Sequence, residues 1–115
     1  MAVPQMSRLV EIRSIPSSNT DLYTHAAGET RALRLITLTS TSGVAVTVSL
    51  WKVPDGDSTA DANRIFSGSV PAGDFIIIDF PTPGLLFEDA GEKLVSLATV
   101  DAVVNIEVTG FKETL

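Results

Sequence analysis

The fold of this chain is decided by the stretch GVAVTVSLWKV, residues 43–53. Aliphatic residues occupy every second position of it, and smaller or polar residues stand between them. The aliphatic positions are Val44, Val46, Val48 and Leu50. A period of two over this length predicts a β-strand with one buried face, and it places Trp51 on the opposite face.

Apolar segments of the same kind continue on both sides of this strand, and turn residues separate them. The further predicted strands are residues 8–15, 32–39, 75–80, 85–87, 93–99 and 103–111. Helical spacing is nearly absent. Short strands divided by frequent turns are typical of antiparallel sandwiches and barrels. We therefore predict an all-β fold, an antiparallel β-sandwich of jelly-roll-like or immunoglobulin-like type with about seven or eight strands.

Several local features refine this prediction. Residues 40–43 resemble a hairpin loop, so strand 32–39 is expected to pair with strand 43–53. The apolar face of strand 32–39 changes sides at Leu35-Ile36, which indicates a bulge. Residues 75–80 are almost continuously apolar, as in a strand covered on both faces, and the prolines of residues 81–84 should end it. Residues 54–63 predict a long exposed loop with one helical turn.

The chain divides into a short arm and one domain. Residues 1–20 predict an N-terminal strand followed by a loop, and this strand either closes the edge of the sheet or reaches a neighbouring subunit. Residues 21–115 predict a single β-sandwich domain.

Composition narrows the function. The chain has 115 residues, no cysteine and a net charge of −6. Disulfides and thiolate chemistry are therefore excluded, and the negative charge disfavours DNA and RNA as partners. No apolar run is long enough to predict a membrane-spanning helix, and no secretion signal opens the chain, so a cytoplasmic origin is expected.

The sequence predicts no catalytic, cofactor or metal site. The single histidine, His25, lies beside a turn and lacks a nucleophile presented on a strained elbow. Residues 55–66 begin like a calcium loop, with Asp55, Asp57 and Asp61, but Ala60 stands at the required glycine position and Phe66 at the bidentate acid position. An irregular cation site shared between loops stays open as an alternative.

The pattern of strands and turns resembles a known kind of protein. The segments that carry the likeness are Leu22-Tyr23-Thr24 with Gly28-Glu29-Thr30, Ile36-Thr37-Leu38, residues 42–51, Pro71-Ala72-Gly73-Asp74 and residues 104–110. Together they resemble the small β-sandwich structural proteins of tailed bacteriophage particles, which decorate heads or build tail and fibre parts. The resemblance covers about residues 22–112 and carries no active-site residues.

This resemblance implies a non-enzymatic virion protein, first of all a head decoration or cement subunit that oligomerises and stabilises the capsid. A tail, neck or fibre component is the alternative within the same class. The expected partners are other copies, with a trimer as the first guess, and the major capsid protein or other virion proteins. The first twenty residues lie outside the resemblance. The separate N-terminal strand and the single tryptophan, taken from the sequence itself, give the expected interface residues, which are Arg8, Leu9, Val10, Ile12 and Trp51.

Two other classes of function remain open at the level of sequence. A carbohydrate-binding module would stack a sugar on Trp51, with Tyr23 and the aspartate-rich loop beside it. An enzyme with an unfamiliar site at His25 is the third possibility, and the sequence favours it least.

Overall fold

A computed structural model describes residues 5–81 and 84–114 and contains nine strands and one 3-10 turn in that part of the chain. The strands are β1 (Gln5–Ser14), β2 (Thr20–Thr24), β3 (Glu29–Ser40), β4 (Val46–Val53), β5 (Arg64–Val70), β6 (Phe75–Asp79), β7 (Leu85–Phe87), β8 (Lys93–Ala98) and β9 (Val104–Thr114). The 3-10 turn, Asp61–Asn63, lies in the loop between β4 and β5, which confirms the predicted helical turn.

The strands form two antiparallel sheets. Sheet A has the order β1-β9-β3-β6. The short strand β7 pairs with β3 on the same side as β6, so that β6 and β7 lie end to end along β3. Sheet B has the order β2-β8-β4-β5. The prediction of an all-β antiparallel sandwich is confirmed.

The core lies between the two sheets and is built mainly from aliphatic side chains. Its fully buried members include Ile36 and Leu38 of β3, Val46, Val48 and Leu50 of β4, and Val104, Ile106 and Val108 of β9. The period of two in β4 and β9 therefore predicted the buried face correctly. Val44 is an exception, because β4 begins only at Val46 and the side chain of Val44 is 62% exposed.

The predicted hairpin between β3 and β4 is wrong. Residues 41–45 carry the chain from sheet A to sheet B, where β4 pairs with β5 and β8. The backbone N–H of Thr41 donates to the carbonyl of Val103 at 2.8 Å, so the chain follows sheet A for one more residue before it crosses. Alternation shows which face of a strand is buried but not which strand lies beside it, and two strands facing each other across a core show the same pattern.

The predicted bulge in β3 is present, one residue earlier than expected. Leu33 pairs with Gly110 and Leu35 pairs with Thr109, so Arg34 is the extra residue. The Arg34 side chain donates from Nε to the carbonyl of Phe80 at 2.9 Å. The backbones are close here, and a Cβ added at Gly110 would overlap the carbonyl oxygen of Ala32.

Strand β6 differs from its prediction. It lies at the edge of sheet A, where Phe75 is 56% and Ile77 is 55% exposed, so it is not covered on both faces. A continuous apolar run cannot distinguish a doubly covered strand from an edge strand with an apolar outer face. The strand ends at Asp79, and Thr82 and Pro83 of the predicted stop lie outside the described residues.

The N-terminal strand closes the other edge of sheet A. β1 pairs with β9 of the same chain, and its register shifts twice, between Arg8 and Val10 and between Val10 and Arg13. Residues 1–4 of the predicted arm lie outside the described residues.

Candidate interaction surfaces

The predicted interface residues separate into exposed and buried groups. Arg8 is exposed, and Ile12 is 68% exposed on the surface of β1. Leu9 and Val10 belong to the core between the sheets. Only Arg8 and Ile12 are therefore available to a partner in this conformation.

Trp51 is also buried. It retains 9% of its exposure and packs with Val53, Val95 and Leu97 in a small cluster separate from the main core. The neighbouring strand β5 bulges at this point, since Leu50 pairs with Phe66 and Trp51 with Arg64, which leaves Ile65 as the extra residue. A sugar needs a free ring face for stacking, and Trp51 offers very little of one.

The outer face of sheet A carries an exposed apolar surface, which we call the sheet A strip and define as Ile12, Phe75 and Ile77. Ile77 pairs with Thr37 and Phe75 with Thr39, so these side chains share one face. A shallow depression continues from the two threonines to Ile12; it is lined by Ile12, Thr37, Thr39, Asn105, Ile106 and Glu107. The strip therefore has its apolar side chains at the two edges of the sheet, on β6 and on β1, with polar side chains of β3 and β9 between them.

One ion pair borders the sheet A strip. Arg8 Nε lies 3.4 Å from a carboxylate oxygen of Glu107, and both side chains are accessible to solvent. Exposed ion pairs contribute little to stability, but they fix the positions of charges that a partner would meet.

His25 lies in a polar cluster at one end of the sandwich. Its ring is 2% exposed, its Nδ1 is 2.7 Å from the Tyr23 hydroxyl, and its Nε2 is 2.7 Å from the carbonyl of Glu29. Because a carbonyl only accepts, Nε2 carries a proton in this contact, and Nδ1 faces the tyrosine hydroxyl. The cluster ties β2 of sheet B to β3 of sheet A, and it leaves His25 unable to reach a substrate in solvent.

The charged neighbours of His25 complete this cluster. Burial raises the pKa of Tyr23 to about 12, against the lowering effect of Arg31. Burial alone would also raise the pKa of Glu29, but its ion pairs with Arg31 at 3.0 Å and Lys112 at 3.3 Å outweigh this and lower it. The pair between Glu29 and Lys112 links β3 to β9 at this end of sheet A.

The aspartate-rich loop does not gather its carboxylates. Asp61 pairs with Arg64 at 3.6 Å, and Asp55 lies against the backbone of Gly91. Within residues 5–81 and 84–114, no three His, Cys, Asp or Glu side chains are grouped as a metal site requires. No helix in the same part of the chain is long and apolar enough to span a membrane.

Comparisons with known proteins bear on the fold alone. No protein-family model matches the chain, and no curated protein matches it. A solved structure from a study of Bacillus endospore appendages, described there as a novel family of disulfide-linked pili, has a TM-score of 0.59 and 11% identity. The match covers 100% of this chain and 91% of that chain. This similarity shows a shared architecture.

The sequence predicts only one end of the sheet A strip. It indicates Ile12 as an interface residue, whereas the apolar run of residues 75–80 predicts a covered strand and so gives no sign that Phe75 and Ile77 are exposed. No signal in the sequence separates these cases, because a continuous apolar run looks the same in a covered strand and in an edge strand with an apolar outer face.

Proposed function

We propose that this chain is a non-enzymatic structural subunit of a virus particle, first of all a head decoration or cement protein that works by binding energy alone. The sheet A strip is the observation that carries the proposal. Phe75 and Ile77 are neighbours on one face of β6 and are each more than half exposed, as is Ile12 at the opposite edge of the same sheet, and adjacent exposed apolar side chains mark surfaces that bind other proteins.

The partners in this proposal are other copies of the chain and the proteins of the particle surface, the major capsid protein first. Tail, neck and fibre positions would use the same surface. The particle is the place of action, and the host cytoplasm is the place of synthesis. The number of copies in an assembly is proposed as three, the smallest closed ring beyond a dimer.

The similarity to a structure from a study of disulfide-linked pili agrees with a structural role for this fold. This chain has no cysteine, so any assembly it forms must be held by non-covalent contacts. The energy must come from apolar burial and hydrogen bonds across the contact.

Co-sedimentation with purified particles of the virus that encodes the chain tests this function. We expect the protein to sediment with the particles, and the double variant Phe75→Ser/Ile77→Ser to lose at least about tenfold in affinity, since a buried apolar contact would be replaced by polar groups. Val44→Ser is the matched control, because Val44 is 62% exposed but lies outside the sheet A strip. A protein that binds no virion component and is monomeric in solution would refute the proposal.

A further inference from the structure

The two edges of sheet A run in opposite directions. β1 is antiparallel to β9, β9 to β3, and β3 to β6. With four strands on this path, β6 is therefore antiparallel to β1. A second copy placed beside the first in the same orientation would bring its β1 next to β6 as an antiparallel neighbour. All strand pairs within the sheet are antiparallel as well.

The outer edge of β6 has main-chain groups free to make this pairing. Ser40 N–H donates to the carbonyl of Asp74 at 2.9 Å, and Phe80 N–H donates to the carbonyl of Arg34 at 2.8 Å. The even-numbered residues of β6 therefore face β3, and by alternation Ile77 directs its N–H and C=O outward. Among the described residues, β6 pairs with β3 alone.

The two edges also match in length and position. β1 pairs with β9 residues that lie opposite Arg31 to Thr39 of β3. On the other side, β7 and β6 together lie opposite Arg31 to Thr39 as well. Sheet A is thus close to rectangular, so β1 of a second copy would run beside both β6 and β7 without overhang.

Charge favours pairing of unlike edges over pairing of like edges. β6 is flanked by Asp74 and ends in Asp79, and it contains no basic residue. β1 carries Arg8 and Arg13 with one acidic residue, Glu11. Two β6 edges related by a twofold axis would bring four aspartates together, whereas β6 against β1 places aspartates near arginines.

The two edge strands of sheet B also run in opposite directions. Its order is β2-β8-β4-β5 with every pair antiparallel, so β5 and β2 also run in opposite directions. β5 is joined to β6 by the four residues 71–74, and β1 contacts β2. The edges of both sheets therefore end on the same two sides of the sandwich.

From these observations, and resting on the proposed function, we infer that copies of this chain join head to tail, with β6 and β7 of one copy paired to β1 of the next. Sheet A is then continuous from copy to copy. Contacts of this kind close into a ring when the rotation between copies permits it, and otherwise extend as a filament.

Proline at position 77 tests the pairing. Ile77→Pro removes the outward N–H of β6 and none of the hydrogen bonds to β3, and proline is tolerated in edge strands. Ile77→Ala is the matched control, because it also loses the side chain but keeps the N–H. By mass photometry, we expect Ile77→Pro to associate at least about tenfold more weakly than Ile77→Ala.

Mixing the variant with the normal protein tests the head-to-tail arrangement. Ile77→Pro keeps a normal β1 edge, so it should still bind the free β6 of a normal copy and stop further addition. We expect an equal mixture to contain shorter assemblies than the normal protein alone. If the normal protein stops at dimers and the variant leaves them unchanged, a twofold contact is present and the inference is wrong.

A charge reversal gives a second test should proline at position 77 prevent folding, which circular dichroism would show. Asp79→Arg places a cation opposite the arginines of β1 and should weaken association about tenfold, whereas Asp57→Arg makes the same change of net charge in an exposed loop and should leave it unaltered. Assembly that neither edge variant alters overturns the inference and leaves the proposed function standing. If the normal protein is a monomer that still binds particles, the head-to-tail inference is wrong and the proposed function stands. If it is a monomer that binds no particles, the inference and the proposed function are both wrong.

Discussion

Glu92 shows at the scale of one residue how this small domain uses buried charge. Its Oε1 accepts from the backbone N–H groups of Glu88 and Asp89, at 2.9 and 2.8 Å, and its Oε2 lies 3.1 Å from Lys52 Nζ. Burial would raise the pKa of Glu92, but these contacts outweigh it and lower the pKa below its ordinary value. The ionised carboxylate therefore fixes the turn between β7 and β8.

Replacing Glu92 should make the protein less stable at neutral pH. Because the folded-state pKa is lowered, the contribution of Glu92 is complete above the ordinary pKa of 4.5 and is lost as the pH falls below it. We expect Glu92→Gln to lower the free energy of unfolding by about 1–3 kcal/mol at pH 7 and by less at pH 3. Urea unfolding at both values measures this. Glu11→Gln, at an exposed position, should change it by less than about 0.5 kcal/mol.

Ser96 is a polar residue in the core whose hydroxyl makes no stabilising contact among the described residues. Its side chain is fully buried, and its hydroxyl has no hydrogen-bond partner among the described residues. A buried hydroxyl without a partner destabilises the folded state. We expect Ser96→Ala to leave the free energy of unfolding unchanged or to raise it by up to about 1 kcal/mol. A loss of more than about 1 kcal/mol in urea unfolding would show that the hydroxyl is hydrogen-bonded after all.

At the scale of elements, the bulge at Arg34 depends on a glycine in the neighbouring strand. A side chain at Gly110 would overlap the backbone of Ala32, which cannot move without breaking the pairing of β3 with β9. We expect Gly110→Ala to lower the free energy of unfolding by about 3 kcal/mol, or to prevent folding, since overpacking commonly costs about 1–3 kcal/mol. Gly43→Ala is the control, because nothing lies within 4 Å of its added Cβ. Equal effects of the two substitutions in thermal unfolding would contradict this account.

The position and the buried face of a strand were easier to predict from the sequence than the strands with which it pairs. Alternation located the buried faces of β4 and β9, because side-chain direction is a local property of an extended chain. The partner of a strand is a long-range property, and β3 illustrates the difference. Its bulge could be read from the change of apolar face near Leu35, but its pairing with β6, β7 and β9 could not.

At the scale of the whole molecule, the candidate site depends on what the sandwich leaves uncovered. Ile12 and Ile77 are far apart in sequence and share the outer face of one sheet only because β9 and β3 lie between their strands. The composition of the sequence could indicate a protein that binds partners without catalysing a reaction. The sheet A strip could not be predicted, because its residues come together only through the order of the strands in the sheet. Trp51 was the most conspicuous single residue in the sequence, but the structure buries it in a small cluster with Val53 and Val95.

Assembly of copies should appear in the thermal stability of the molecule. A folded state that binds other folded copies is stabilised by mass action, so its melting temperature rises with protein concentration. We expect calorimetry over a roughly hundredfold range of concentration to show this rise for the normal protein and little change for Ile77→Pro. A melting temperature independent of concentration in both proteins would mean that the folded copies do not associate in this range.

The pairing of the first strand with the last has a consequence for how the chain can be rearranged. Gln5 lies opposite Lys112, so β1 starts where β9 finishes, at one corner of sheet A. A short peptide linker could connect these two strand ends and turn the backbone into a closed loop. The crossover at residues 41–45, which carries the exposed Val44, then offers a place to open it. A permuted chain with new ends there would keep every strand in its sheet and would move any fused tag to the opposite end of β9.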